Sequence, residues 1–460
     1  MSSTTLRRPQ LSLGGALGWF VASYGVALAG YLAINAIAAR FLGPGQFGYF
    51  VLALTSSAVV GQLALIGVHR SGLREAAKLR DRGSDGSDGS GTTNDVEELQ
   101  RLVGGARAVS WISLPAAAVV CGAVAAGLTG DLGEGLALGL ALAVMVWLAG
   151  EQILLSQYLR GFGRVRLASM LEGRSGGALV AVLQAAALLL VWQVRPSSGL
   201  VGAFCAVSLG YVVPVLLGRW ALRDVFRRGR ATRSLLDDLR STLRNDWRFA
   251  SNQLATYLNT TMELWVAGAL LSSASMSLFG AASRLGMVIM IPMTSLQVVF
   301  SPAVARMLAS GDRQVLQRVV RSGATLATAV SGLLWLPMLV LPGLLLSVLF
   351  GSGFRGAATV LVLLTVGILP SVVTGISGTV LTMSHHEGVM ASLQWTTVVV
   401  RTVGAAVAAG AFGLTGLGVS SAVATATLGL GSWWLAHTRV GVWTQATARP
   451  EPALLRRTRG

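Results

Sequence analysis

Stretch after stretch of about twenty residues carries no charged side chain, and that limits the fold before any motif is considered. About twenty residues of helix rise ~30 Å, the hydrocarbon thickness of a bilayer. Inside that layer only a helix or a closed barrel satisfies its own backbone, and continuous apolar runs, unlike short alternating strands, select the helix. Charged residues make up 12% of the 460 and hydrophobic residues 53%, against roughly 25% charged in a soluble domain. The sequence therefore predicts an all-α polytopic membrane protein of about 12 transmembrane helices, in two six-helix halves around a central polar cavity. The spans fall at about 14–39, 47–68, 107–128, 135–158, 168–192, 200–220, 249–271, 277–300, 322–346, 356–382, 389–411 and 414–437.

This spacing divides the chain into an N-terminal half at 1–218, a basic connector at 219–248, a C-terminal half at 249–437 and a basic tail at 438–460. The formal net charge of +17 is carried by arginines next to the spans. Alternate connections hold Arg70 to Arg107, Arg160 to Arg174, Arg219 to Arg248, Arg306 to Arg321 and the tail, whereas the opposite ones hold little beyond Arg40, Arg195 and Arg355. By the positive-inside rule both termini are expected in the cytoplasm. Leu235, Leu236, Leu239, Leu243 and Trp247 recur at helical spacing among arginines, which predicts an amphipathic helix on the inner leaflet with anionic lipids as partner. No recognition module accompanies the basic run, so no nucleic-acid partner is expected. Residues 81–91 are Gly/Ser/Asp-rich and predict a disordered loop, and the tail is expected to be mobile. Cys121 and Cys205 sit in apolar runs as small hydrophobes, and the first apolar run is too long for a cleavable signal.

The polar residues inside the spans carry the functional argument, because an intramembrane charge marks a site by default. Asn252, Thr256, Asn259, Thr260 and Glu263 form one helical stripe; after a short serine turn, Arg284 follows on the next span at similar depth. Glu263 and Arg284 are thus either a bolt between two helices or part of a polar cavity. Glu151 interrupts the fourth span, with interhelical bonding or a cavity role open to it. Glu172 and Arg174 suggest an interfacial pair. Tyr24, Tyr31 and Asn35 share a face of the first span, as do Thr55, Gln62 and His69 of the second. On span eleven, Gln394, Thr397 and Arg401 line one face, with Arg401 about 18 Å from the arginine-rich end and no acid in its own span. Either Glu151 or Glu263 neutralises Arg401, or Arg401 joins Arg284 in binding a substrate's phosphates.

Between the first two spans runs Arg40-Phe41-Leu42-Gly43-Pro44-Gly45-Gln46-Phe47-Gly48-Tyr49-Phe50, a tight turn in which Gly48 permits close backbone approach. With Tyr158-Leu159-Arg160-Gly161-Phe162-Gly163-Arg164 and with Leu349-Phe350-Gly351 followed by Phe354-Arg355, this turn resembles motifs of the O-antigen-type polysaccharide flippases in the multidrug/oligosaccharidyl-lipid/polysaccharide exporter superfamily. In that family the position of Glu263 is usually an acid and that of Arg284 a basic residue. The resemblance implies transport of polyprenyl-pyrophosphate-linked saccharides, with polysaccharide-assembly proteins as further partners. Substrate contacts are then expected from Arg284, Arg401, Asn35, Asn259 and Gln394, with Glu263 and Glu151 as an ion-coupling or structural pair. A lipid II flippase and a cation-coupled drug exporter are the neighbouring readings.

No catalytic constellation, nucleotide loop or metal motif occurs, so no enzyme activity, cofactor or metal is expected. An integral-membrane glycosyltransferase or polymerase would place catalytic residues in large outer loops, and here those loops are short.

Overall fold

The computed structural model describes residues 13–84, 93–127, 131–171, 177–229 and 234–451. Residues 85–91 of the low-complexity loop, Glu172, Arg174 and the tail from 452 lie outside these, as do the side chains of Tyr24 and Asn252. The described residues form helices and connecting turns, with no strand among them. In chain order the helices are α1 (Leu13–Ala64), α2 (Val68–Ser84), α3 (Thr93–Ala108), α4 (Leu114–Gly127), α5 (Leu132–Gly161), α6 (Val165–Leu171), α7 (Ala178–Val194) and α8 (Gly199–Arg228). The second series is α9 (Leu235–Leu270), α10 (Ser273–Gly286), α11 (Ile291–Ala309), α12 (Arg313–Val340), α13 (Pro342–Phe350), α14 (Ala358–Val373), α15 (Ser377–Met383) and α16 (Glu387–Val440).

Eight of the described helical stretches are long and apolar enough to cross a bilayer. Two of them are double length. α1 breaks at Gly43 (φ 66°) and α16 at Gly413 (φ 60°), left-handed positions that glycine alone adopts cheaply. The apolar α7 and the polar-striped α9 supply two further crossings, consistent with twelve spans. The lipid-facing shell exposes Leu136, Leu209, Leu333, Val407 and Phe412, while Asn35, Gln152, Glu263 and Arg401 are buried. Apolar outside and polar inside is how a chain dissolved in lipid distributes its side chains.

Prolines and glycines interrupt the spans at identifiable points. Pro292 opens α11 after a 3-10 turn at Met287–Met290. Pro342 starts α13, and Pro370 precedes the break between α14 and α15, where Gly375 has φ 78°. The basic stretch from Leu235 departs from the surface helix predicted for it. It continues without a break into the seventh span as one helix, packed against α3, with Asp238 buried beside Gly104. No Gly or Pro separates the amphipathic part from the span, so nothing bends the helix flat.

The tail also differs from the free segment expected. Through Glu451 it folds back as a strap across α12 and the α14–α15 break. Ala446 N donates to Val373 O at 2.9 Å, Thr444 Oγ1 to Thr374 O at 2.6 Å, and Thr447 N to Thr325 Oγ1 at 2.8 Å. Trp443 stacks on His437 at 3.5 Å.

Candidate functional site

The two halves pack closely against each other at the Gly43 end. Gly48 N donates to Ser277 Oγ at 2.7 Å, and a Cβ at Gly48 would stand 2.8 Å from both Ser277 N and Oγ. Only glycine allows α1 and α10 to come so near, as the motif suggested. Phe47 and Phe50 of α1 join Phe350 and Phe354 of the second half in a buried aromatic cluster, Phe47 meeting Phe354 edge-on at 5.5 Å. Arg40 reaches across to the carbonyls of Val348 and Leu349, capping the free C-terminal end of α13. One end of the molecule is therefore closed by packed rings and a cation on a helix terminus.

Below this closure the polar interior is divided. The expected central cavity is two cavities, one in each half, sharing Thr55 and Arg284 as a common wall. The N-half cavity, about 260 Å³, lies among α1, α2, α5, α7, α8, α9 and α10. Apart from Arg70 and Arg284 its polar lining is uncharged, with Asn35, Gln62, Gln152, Gln157, Gln184 and Gln253 beside Tyr31, Tyr211 and Tyr257. Several buried polar atoms there have no hydrogen-bond partner, namely Asn35 Oδ1, Gln62 Oε1 and both amide atoms of Gln152. No Asp or Glu is among the described lining residues. His69 stands at the arginine-rich mouth, just beyond the second span, beside Arg70. Burial, reinforced by the Arg70 charge, lowers its pKa to about 3, so the ring is neutral near pH 7.

The C-half cavity, about 350 Å³, is organised by charge. Glu263 on α9 and Arg401 on α16, 4% and 5% exposed, form an ion pair at 2.9 Å. Ser421 donates to Glu263 at 3.0 Å, and Arg401 donates to Thr425 Oγ1 at 2.6 Å and to Asn259 O. Asn259 Nδ2 donates in turn to Ala255 O and Gln394 O, both at 3.0 Å. Met287, Met290 and Met293 provide a deformable apolar wall opposite.

Arg284 lies between the two. It is 3% exposed, yet its contacts are neutral: Nη1 donates to Tyr31 Oη at 3.0 Å and Nη2 to Thr55 Oγ1 at 3.2 Å. Its Nε has no partner, and no carboxylate pairs with it among the described residues. So the Glu263–Arg284 pairing considered from sequence does not form. Glu263 takes the second arginine, from span eleven, and Arg284 stays uncompensated.

Among the candidates named from sequence, Asn35 lines the N-half cavity, Asn259, Gln394, Glu263 and Arg401 line the C-half cavity, and Arg284 lines both. Glu151 lies elsewhere. It is bound by Arg219 of α8 at 2.9 Å in a lateral pocket, an interhelical tie outside the two cavities. The sequence reading missed Gln152, Gln157, Gln184 and Gln253. Glutamines inside apolar spans are the signal that could have found them, since an amide in hydrocarbon needs a partner just as a charge does.

No protein-family model matches the chain, and no curated protein matches it. Solved structures do. An inward-facing multidrug resistance MATE family transporter of the MOP superfamily superposes with TM-score 0.65 at 16% identity, over 90% of this chain and 94% of its own. A MATE protein in complex with MaD5 gives 0.59 at 16% identity, over 96% and 99%. A MOP superfamily transporter from Pyrococcus furiosus, described as having a binding pocket of reverse polarity suggesting a different function, gives 0.51 at 15% identity, over 96% of this chain and 99% of its own. At these identities the likeness is one of fold: the chain has the fold of the MATE transporters of the MOP superfamily.

Proposed function

We propose that this protein is a flippase that moves polyprenyl-pyrophosphate-linked saccharides across the cytoplasmic membrane by alternating access, for cell-surface polysaccharide biosynthesis. The observation that carries the reading is Arg284, a buried guanidinium on the wall of both cavities with no carboxylate among the described residues. A charge held out of water is costly unless an opposite charge meets it, and a pyrophosphate offers the paired oxygens that suit the planar fork. The N-half cavity surrounds that arginine with amides and phenols, the groups that exchange hydrogen bonds with sugar hydroxyls. The polyprenyl tail remains in lipid.

Alternating access then consists of rocking the halves about the Arg284 level. Opening the Gly43 end separates Phe47 and Phe50 from Phe350 and Phe354, and withdraws Arg40 from the α13 carbonyls. The positive-inside rule, applied to the arginine-rich connections, supports a cytoplasmic position for the opposite end and for both termini. A cation-coupled drug exporter needs an acid free to meet a cation. The described lining residues offer Glu263 alone, and Arg401 already holds it at 2.9 Å. A lipid II flippase shares the pyrophosphate chemistry and differs in the headgroup it must admit.

The test is reconstitution of the purified protein in vesicles carrying a polyprenyl-pyrophosphate oligosaccharide, scored by glycan newly exposed on the opposite leaflet. The wild type is expected to expose glycan, and Arg284→Gln to work about ten- to a hundredfold more slowly, as suits loss of charged hydrogen bonds. Arg284→Lys falls between. Export of a cationic dye with no glycan movement would overturn the proposal.

A further inference from the structure

The lateral pocket that holds Glu151 has a chemistry of its own. It encloses about 360 Å³ among α3, the turn after it, α5 and α8, and is lined by Arg107, Ser110, Trp111, Glu151, Arg219 and Arg223. Glu151 is neutralised by Arg219, whose Nη2 lies 2.9 Å and whose Nε lies 3.0 Å from Oε1. The remaining cations are not. Arg107 has no polar partner among the described residues, and Arg223 has only a loose, exposed contact with Asp224 at 3.7 Å. The pocket therefore carries an excess of positive charge.

Its depth is set by helix geometry. Arg219 lies twenty residues after Gly199, the start of α8, a rise of ~30 Å, which spans the hydrocarbon layer. Arg219 and Arg223 thus stand at headgroup level at the arginine-rich end. Two exposed tryptophans mark the same level. Trp111 lies 5.7 Å from the Arg219 guanidinium, and Trp220 lies 5.4 Å from that of Arg223. Trp111 is carried on a five-residue π turn, Val109–Ser113, which interrupts the helix at the pocket wall. Away from the arginines, Leu209, Val213, Leu216 and Trp220 form an exposed apolar stripe along α8, at helical spacing and leading into the pocket.

We infer that this pocket is a binding site for an anionic phospholipid, with the phosphate held by Arg107 and Arg223 beside Trp111 and an acyl chain laid along the α8 stripe. The site is separate from the transport cavities and does not depend on what they carry. Arg219 orients the pocket through Glu151, while Arg107 and Arg223 supply the unmatched charge.

Titration of the detergent-solubilised full-length protein with phosphatidylglycerol or phosphatidylcholine, followed by native mass spectrometry, tests the site. Wild type is expected to bind phosphatidylglycerol in preference to phosphatidylcholine. Removing each arginine should weaken binding about fivefold, so Arg107→Gln with Arg223→Gln loses most of the preference. The Arg107→Lys/Arg223→Lys protein should retain most of it, which separates charge from shape. Equal phosphatidylglycerol binding by wild type and the double glutamine variant would overturn the inference. So would equal binding of the two lipids by wild type, or displacement of phosphatidylglycerol by a lipid-linked pyrophosphate at far lower concentration, which would make the pocket an entry point for cargo.

Discussion

The two cavities solve the cost of buried polarity in opposite ways. In the C-half, the charges are matched inside the protein, Glu263 with Arg401, Arg401 with Thr425 and Glu263 with Ser421, with Asn259 Oδ1 and Arg401 Nε left without a partner. In the N-half, Asn35 Oδ1, Gln62 Oε1 and both amide atoms of Gln152 are left without partners, and Arg284 on its wall has neutral ones only. A matched network holds helices together; unmatched groups are a standing cost that a ligand can relieve. Under the proposed function the N-half is the side of recognition, so substitutions on the two sides should move stability in opposite directions.

The largest effect is expected at Glu263. Glu263→Gln leaves Arg401 buried and unpaired, and arginine cannot escape by losing its proton, so unfolding in detergent should come about 3–5 kcal/mol sooner. Arg401→Gln should cost less, because the orphaned carboxyl can protonate. The double substitution should recover much of the loss. Equal, additive losses from the two single changes would break the comparison by showing that the pair is not a unit.

A smaller effect of opposite sign is expected in the N-half. Gln152→Leu removes two unpartnered amide atoms from a site 1% exposed, and should raise stability by about 1–3 kcal/mol while slowing glycan transport. A destabilised Gln152→Leu protein would mean that these amides are part of the packing. The smallest effect is at His69, whose lowered pKa keeps it neutral through the physiological range. The sign follows from the direction of the shift. Protonation is opposed by the fold, so the ring gains its proton only in acid far below its ordinary pKa near 6.5. The transport–pH profile of His69→Gln should therefore overlay the wild type between about pH 5 and 8. A step near pH 6.5 that disappears in the variant would show that His69 titrates in the working cycle.

The spans, the tight turn and the inward stripe of α9 were legible because each is a local pattern: run length, glycine and proline placement, helical periodicity. Gly48 could be read as a contact point for the same reason. The partner of Glu263 could not. Arg284 and Arg401 both lie inside spans at depths that periodicity cannot tell apart, and which of them meets the acid depends on how α16 packs on α9. The strap resisted reading for a different cause. Its hydrogen bonds are made largely by backbone groups and by Thr325, Thr444 and Gln445, so a basic, helix-free composition says nothing of the groove that receives it. The N-half amides were visible one by one, yet only the fold gathers Gln62, Gln152, Gln157, Gln184 and Gln253 around one space.

Substrate affinity in matched variants tests the division of labour most directly. Binding of a lipid-linked pyrophosphate saccharide would be measured on purified Arg284→Gln and on the Glu263→Gln/Arg401→Gln protein, each checked for folding. The account predicts a loss of about tenfold or more for Arg284→Gln, with the double C-half variant within about threefold of wild type. Unchanged affinity in well-folded Arg284→Gln, with affinity lost in the double variant, would contradict it and move recognition to the C-half cavity.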